Sequence, residues 1–142
     1  YSWQNNKELY TYFDVDEIRR WHVEGRGWRD IGYHYIVYLD GSIHNGRPIE
    51  VPGAHVRGQN KHSIGVCYIG GVSNVKDKRG KWPAEDTRTP EQKAALWRLL
   101  MELMACYNGA TLHGHNEYAR KACPSFSVAK EYKDIIDFYE DD

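Results

Sequence analysis

The stretch YHYIVYLDGSIHNG, residues 33–46, predicts a β-hairpin and thereby sets the fold. Its first arm is rich in aromatic and β-branched residues, which favour extended backbone. Asp40 and Gly41 supply the positive φ angles that a tight turn between two strands needs. A second apolar run, SIGVCYIGG (63–71), predicts a further strand. Because this run is apolar without interruption, we expect it to be a central strand covered on both faces.

Two segments carry helix signals with defined starts. DVDEIRRWHVEGRG (14–27) predicts a helix in which Asp14 and Glu17 form a capping box. TPEQKAALWRLLMELMACYNG (89–109) predicts a longer helix, whose opening TPEQ provides a capping box with proline at the first helical position. Leucines at helical spacing mark its buried face.

The rest of the chain completes an α/β pattern. ATLHG (110–114) predicts a short strand, SVAKEYKDIIDFY (127–139) predicts a final helix, and the polar segment 70–88 predicts a long surface loop. Strands that alternate with helices indicate an α/β fold with a single mixed sheet flanked by helices. A length of 142 residues suits one domain, 1–142.

The composition argues against nucleic-acid binding and against a membrane-spanning helix. The net charge is -1, and no basic stripe stands out, which argues against nucleic-acid binding. No apolar run approaches the roughly 20 residues that a membrane-spanning helix needs, and no signal peptide opens the chain. Of the three cysteines, Cys67 and Cys106 lie in apolar patterns and are expected to be buried, inert thiols, whereas Cys123 lies in a polar loop.

The stretch LHGHNEYARKACPSF (112–126) combines groups that can bind a metal. Zinc accepts histidine nitrogen and thiolate sulfur, so His115 and Cys123 are candidate ligands. Lys121 adds a cation beside them. A single histidine and cysteine at this spacing are more often unrelated, so the spacing alone does not establish a metal site.

Three motifs occur in order along the chain: GWRDIGYHYIVYLDGSIHNGR (27–47), GAHVRGQNKHSIGVCYIGG (53–71) and HGHNEYARKACPSF (113–126). Together they closely resemble the zinc-dependent N-acetylmuramoyl-L-alanine amidases of the phage-lysozyme type, which are relatives of the peptidoglycan recognition proteins. The resemblance implies a mixed sheet flanked by helices, with a substrate groove over a zinc ion (Zn2+). The implied reaction is hydrolysis of the amide between the lactyl group of N-acetylmuramic acid and L-alanine of the stem peptide.

The resemblance also implies roles for individual residues. His115 and Cys123 match zinc ligands, Tyr33 matches the catalytic tyrosine, and Lys121 matches a lysine beside the metal. A tyrosine hydroxyl can relay a proton, and a lysine can stabilise an oxyanion, so the chemistry suits these positions. Without the motif, Tyr33 would be interpreted as a packing aromatic and Lys121 as a solvated charge.

The implied partner is peptidoglycan, recognised as a muropeptide. His55 and Asn60 resemble groove residues that touch this substrate. A phage or prophage endolysin would reside in the cytoplasm of the host bacterium before it reaches the cell wall. No nucleic acid and no membrane is expected as a partner, and a regulatory protein partner has no sequence feature of its own.

One feature departs from the family. In the family, the first zinc ligand is a histidine on an opening strand, in a pattern like IHCSAT. In this chain, residues 1–13, YSWQNNKELYTYF, contain no histidine. Two interpretations stay open. Either the sequence given begins just after that strand, or the domain lacks the strand and is a metal-poor or inactive relative. If the third ligand comes from elsewhere in the chain, His34 and His113 are the first histidines to consider.

Three alternatives to a zinc amidase follow. Without a third ligand, the groove could hold a muropeptide without cutting it. The chain could instead regulate a protein partner. A cysteine hydrolase that uses Cys123 and His115 is a weaker alternative, and a chelator separates it from a zinc enzyme, because a thiol nucleophile needs no metal.

Overall fold

The computed structural model describes residues 15–54, 60, 63–70, 78–79, 85–107, 109–117 and 124–140. The elements in chain order are α1 (Val15–Arg20) with a following π-helical turn (Trp21–Gly25), β1 (Tyr35–Val37), β2 (Ile43–Asn45), β3 (Val66–Tyr68), α2 (Pro90–Cys106), a 3₁₀ turn (His115–Glu117), α3 (Val128–Glu131) and α4 (Lys133–Glu140). The predicted α/β class is confirmed. None of the helices in these ranges is both long enough and apolar enough to cross a membrane.

The three strands form one mixed sheet in the order β2–β1–β3. β2 runs antiparallel to β1, with Ile36 opposite His44, and β3 runs parallel to β1, with Ile36 opposite Cys67. Among the described residues β1 lies between β2 and β3, and β3 pairs with β1. The expectation that β3 is a central strand depends also on residues outside the described ranges and stays a prediction. The expected cover of this run on both faces is confirmed. Tyr68 packs in the core on one face of the sheet, and Ile69 packs in the core on the other.

The predicted hairpin is confirmed, but its loop differs from the expectation. Gly41 has a φ of 85°, whereas Asp40 keeps a negative φ. The backbone N–H of Tyr38 donates to the carbonyl of Ser42 (2.9 Å), which leaves three loop residues between them. Such loops combine an ordinary turn with one left-handed residue, so only one positive φ is needed.

α1 and the segment after it cover one face of the sheet. Their core cluster consists of Val15, Ile18, Ile31, Ile36 and Ile69. His22 lies beside this cluster with 1% of its surface exposed, and its Nδ1 accepts the backbone N–H of Gly32 (2.9 Å). Burial, together with the charges of Arg26 and Arg47, lowers the pKa of His22 to about 4. His22 is therefore a neutral structural histidine near pH 7.

α2 begins with the predicted capping box. The backbone N–H of Gln92 donates to Oγ1 of Thr89 (3.0 Å), and the backbone N–H of Thr89 donates to Oε1 of Gln92 (2.9 Å). The side chain of Gln92 is fully buried, and its Nε2 also donates to the carbonyls of Ile69 (2.9 Å) and Val37 (3.3 Å). The cap thus ties the start of α2 to the ends of β1 and β3.

α2, α3 and α4 cover the other face of the sheet. Their core cluster consists of Val37, Tyr68, Ala95, Leu96, Leu99, Leu100, Met104, Val128, Tyr132 and Ile135. The predicted final helix is present but divided into α3 and α4 at Tyr132. The predicted buried face of α2 is confirmed at Leu96, Leu99, Leu100 and Met104.

Two local expectations are wrong. Residues 110–114 form no strand in the described fold, because Gly114 donates its N–H to the Glu117 carboxylate and Leu112 packs on the α2 core. Cys106 is exposed, since it lies on the outer side of the last turn of α2, whereas Cys67 is buried as expected. Of the predicted surface loop 70–88, residues 71–77 and 80–84 lie outside the described residues. Residues 78–79 and 85–86 are exposed, whereas Arg88 at its end is buried.

Candidate active site

His115, the first candidate ligand, begins a tight turn. The backbone N–H of Glu117 donates to the carbonyl of Gly114 (3.0 Å), and the Glu117 carboxylate accepts the N–H of Gly114 (2.5 Å). These two bonds close the turn on itself and hold the backbone around His115 in one conformation. The His115 side chain is half-buried. A histidine held in this way can present a ring nitrogen with little loss of freedom.

The turn packs against the segment that follows Cys123 in sequence. A Cβ added at Gly114 would lie 3.2 Å from Cδ of Pro124 and 2.9 Å from Cγ2 of Val128, so only glycine allows this approach. Nδ2 of Asn116 donates to the carbonyl of Phe126 (3.2 Å). The residue before His115 and the residue after Cys123 are therefore direct neighbours.

The same segment is anchored to the sheet. The hydroxyl of Tyr68, at the end of β3, donates to the carbonyl of Pro124 (2.6 Å). Ser125 has a φ of 74°, an uncommon value for a residue other than glycine. Strained backbone of this kind persists only where surrounding contacts hold it. Here the contacts of Pro124 and Phe126 hold it from both sides.

Arg88 contacts this anchor and was not predicted from sequence. Its guanidinium pairs with Asp86 (2.8 Å) and Glu131 (3.2 Å), donates to the Tyr132 hydroxyl (2.9 Å) and lies over the Phe126 ring. Burial opposes the charge of Arg88, but the Asp86 hydrogen bond and the nearby acidic groups outweigh it, and the pKa of Arg88 is raised. The hydrogen bond from Arg88 in turn lowers the pKa of Asp86.

Tyr33, the candidate catalytic tyrosine, lies two residues before β1 and is half-buried. It packs against the α1-side core, and its ring centroid lies 5.7 Å from that of His22. Its carbonyl accepts the backbone N–H of Arg47 (2.8 Å). The segment that leads to His115 packs against the α2-side core instead, through Leu112.

The remaining predicted residues are only partly described. Asn60 is half-buried. His55, Lys121 and Cys123 lie outside the described residues. Within the described ranges, no group of three or more histidine, cysteine, aspartate or glutamate side chains could hold a metal ion. His115 is thus the one predicted ligand whose surroundings are seen.

Comparison with known proteins identifies the family. The family described as N-acetylmuramoyl-L-alanine amidase matches residues 3–126 of the chain. The chain belongs to the N-acetylmuramoyl-L-alanine amidase family. This family match includes residues 3–14, which contain no histidine. Membership confirms the resemblance carried by the three motifs and the enzyme class that it implied.

Relatives of this amidase family support the assignment. The endolysin of Escherichia phage T7 is 47% identical over 116 residues, which are 82% of this chain and 72% of that protein. The solved structure of N-acetylmuramoyl-L-alanine amidase LysC from Clostridium intestinale URNW superposes with a TM-score of 0.72 at 28% identity, over 88% of this chain and 77% of that chain. Peptidoglycan-recognition protein SC2 of Drosophila melanogaster is 28% identical over 84% of this chain and 60% of that protein.

Proposed function

We propose that the chain hydrolyses the amide bond between the lactyl group of N-acetylmuramic acid and L-alanine of the peptidoglycan stem peptide. The observation that carries the proposal is the match to the N-acetylmuramoyl-L-alanine amidase family across residues 3–126. The likeness to a phage endolysin (47% identity) and to the amidase LysC (28% identity) supports the same reaction.

His115 and Cys123 would hold a zinc ion. The donor chemistry suits zinc, and the contact between Gly114 and Pro124 brings the neighbours of both residues together. When bound, zinc would lower the pKa of a water molecule and polarise the scissile carbonyl. The half-buried His115 on its closed turn meets the requirement for a ligand with a fixed orientation.

Two other residues would act on the reacting groups. The Tyr33 hydroxyl would hold the attacking water and relay its proton, the role that the family resemblance implies for this residue. Lys121 would stabilise the oxyanion that develops on the scissile carbonyl. His55 and Asn60 would contact the sugar and peptide of the muropeptide.

His34 and His113 are the two histidines considered for a third zinc ligand. His34 is a poor choice, since both ring nitrogens already bond backbone groups, the carbonyl of Val51 and the N–H of Gly65. His113 is exposed, with Nε2 on Oγ1 of Thr111 (2.8 Å) and Nδ1 on Glu117 (3.4 Å). A muropeptide-binding domain that does not cut is therefore the second candidate function, and the likeness to a peptidoglycan-recognition protein favours it over other classes.

One experiment tests both functions. Zinc per chain is measured on the purified protein, and digestion of peptidoglycan is followed by turbidity and by mass spectrometry of the products. An amidase carries about one zinc and releases free stem peptides that begin with L-alanine, without new reducing sugars. His115→Ala should remove zinc and activity, and His44→Ala, a half-buried histidine on β2, is the matched control.

Other results would separate the alternatives. Binding to peptidoglycan without zinc and without product indicates the non-cutting domain. New reducing sugars would contradict the amidase reaction. Hydrolysis that survives a chelator would contradict the zinc mechanism and indicate the thiol alternative.

A further inference from the structure

His34 lies immediately before β1, where it is buried and hydrogen-bonded through its backbone and its ring. Only 2% of its surface is exposed. Its backbone N–H donates to the carbonyl of Gly65 (2.9 Å), and its carbonyl accepts the N–H of Gly46 (2.9 Å). The backbone at His34 therefore joins the second arm of the hairpin to the segment that enters β3.

The imidazole makes two further bonds, both to backbone. The N–H of Gly65 donates to Nδ1 (3.0 Å), and Nε2 lies 2.8 Å from the carbonyl of Val51. An N–H can only donate and a carbonyl can only accept, so Nδ1 is the acceptor and Nε2 carries the hydrogen. The ring thus bridges two backbone groups with one fixed assignment of donor and acceptor nitrogens.

The two partners of this bridge bracket the segment 52–64. That segment contains His55 and Asn60, the residues expected to touch substrate. The first residues of this segment make further hydrogen bonds. An Nη atom of Arg47 donates to the carbonyl of Pro52 (2.6 Å), and the N–H of Ala54 donates to the carbonyl of Gly32 (3.0 Å). The ring of His34 contacts both ends.

We propose that His34 is a positioning residue for the muropeptide: by bonding Val51 and Gly65 with one ring, it sets the distance between the two described ends of the segment 52–64 and so positions Asn60 for the substrate. This inference rests on the proposed function for its substrate class. A segment held at both ends loses less conformational freedom on binding, which increases affinity without any new contact.

Two substitutions each remove one half of the bridge. In His34→Asn the side-chain oxygen can replace Nδ1 as acceptor for Gly65, and the bond to Val51 is lost. In His34→Gln the side-chain amide can replace Nε2 as donor to Val51, and the bond to Gly65 is lost. Hydrogen exchange followed by mass spectrometry should therefore rise at residues 53–54 in His34→Asn and at Gly65 in His34→Gln.

The functional readout uses the full chain with a defined muropeptide, N-acetylmuramyl tripeptide. Both variants should raise KM, or Kd for this ligand, about tenfold. Each variant loses one of the two ring bonds that hold the ends of the segment 52–64, so more conformational freedom is lost when the ligand binds. The kcat at saturation and the zinc content should stay within about twofold of wild type, because the bonds of His34 restrain a binding segment. Leu100→Ala, which opens a cavity in the α2-side core, is the control for general loss of stability.

The outcomes are distinct. The proposal is overturned if both variants lose kcat at unchanged KM, if Leu100→Ala raises KM equally, or if hydrogen exchange rises everywhere in both variants. If the wild-type chain neither cuts nor binds the tripeptide, the proposed function and the substrate half of this inference fail together. The exchange pattern then still decides whether His34 holds the two ends.

Discussion

The guanidinium carbon of Arg88 lies 3.7 Å from the centroid of the Phe126 ring. Phe126 belongs to the segment that packs against the His115 turn, and Arg88 belongs to the segment that leads into α2. The side chain of Arg88 is 1% exposed, while its partners Asp86 and Glu131 reach solvent. A buried cation on an aromatic face thus connects the start of α2 with the candidate zinc segment.

Arg88→Met should destabilise the fold by about 2–4 kcal/mol, since removal of one partner of a buried ion pair leaves the other uncompensated. The partial exposure of Asp86 keeps this value at the lower end. Urea unfolding followed by circular dichroism measures the loss. Arg98→Met, on the exposed side of α2, is the matched control and should change stability by less than about 0.5 kcal/mol. Equal effects of the two substitutions would contradict the assignment.

Gln92→Glu separates the capping role of residue 92 from its contacts with the sheet. A glutamate caps a helix as well as a glutamine does, so the capping box alone predicts little change. The buried amide, however, donates to the carbonyls of Val37 and Ile69, and a carboxylate cannot donate. We expect a loss of about 3 kcal/mol at pH 7. The exposed Glu91→Gln is the control, and a neutral Gln92→Glu would disprove the sheet contact.

His22 should make stability depend on pH. Its pKa is about 4 in the fold against 6.5 as the ordinary value, so the unfolded chain binds a proton that the folded chain rejects between these limits. Stability is fully present above pH 6.5 and falls by about 2–3 kcal/mol as the pH drops to about 4. His22→Asn keeps an acceptor for Gly32 and removes the titration. Unfolding free energies at pH 7 and pH 4.5 should differ less in this variant than in the wild type.

Tyr33→Phe tests the proposed catalytic hydroxyl. We expect kcat to fall at least about a hundredfold, the usual effect of a lost proton-transfer group, with KM nearly unchanged. Tyr139→Phe, a half-buried tyrosine on α4, should leave both constants unchanged. A Tyr33→Phe variant with the wild-type rate would remove this residue from the mechanism.

The thiols give a test of zinc binding that needs no substrate. In the native chain a disulfide reagent should label Cys106, which is exposed, and not Cys67, which is buried. In a Cys106→Ser background, removal of zinc with a chelator should add one reactive thiol, that of Cys123. A further Cys123→Ser substitution should abolish this increment. An unchanged thiol count after the chelator would contradict Cys123 as a ligand.

Sequence patterns predicted the features that depend on neighbouring residues. The hairpin of residues 33–46 and the Thr89–Gln92 box are local, and both are confirmed. Strand order depends on pairing between distant segments, and an apolar run does not say on which side its partner lies. The three motifs together predicted the family, and the family match confirms it.

The contacts of two buried polar residues, Arg88 and His34, could not be predicted for a related reason. Arg88 sits among polar residues in sequence, and its burial depends on Phe126 and Tyr132, far along the chain. The two ring contacts of His34 join Val51 and Gly65, which no short pattern connects. In both cases the polar side chain can be buried because it contacts backbone or aromatic groups from distant parts of the chain.

The parallel pairing of β1 with β3 also has a kinetic consequence. Ile36 and Cys67 are paired although 31 positions separate them, whereas the β1–β2 pairing closes a short loop. Non-local parallel pairs form slowly, so we expect the hairpin to form before β3 joins it. Gln92 can contact Val37 and Ile69 together only after that step. Substitutions at Gln92 should therefore speed unfolding in stopped-flow experiments and leave the folding rate almost unchanged.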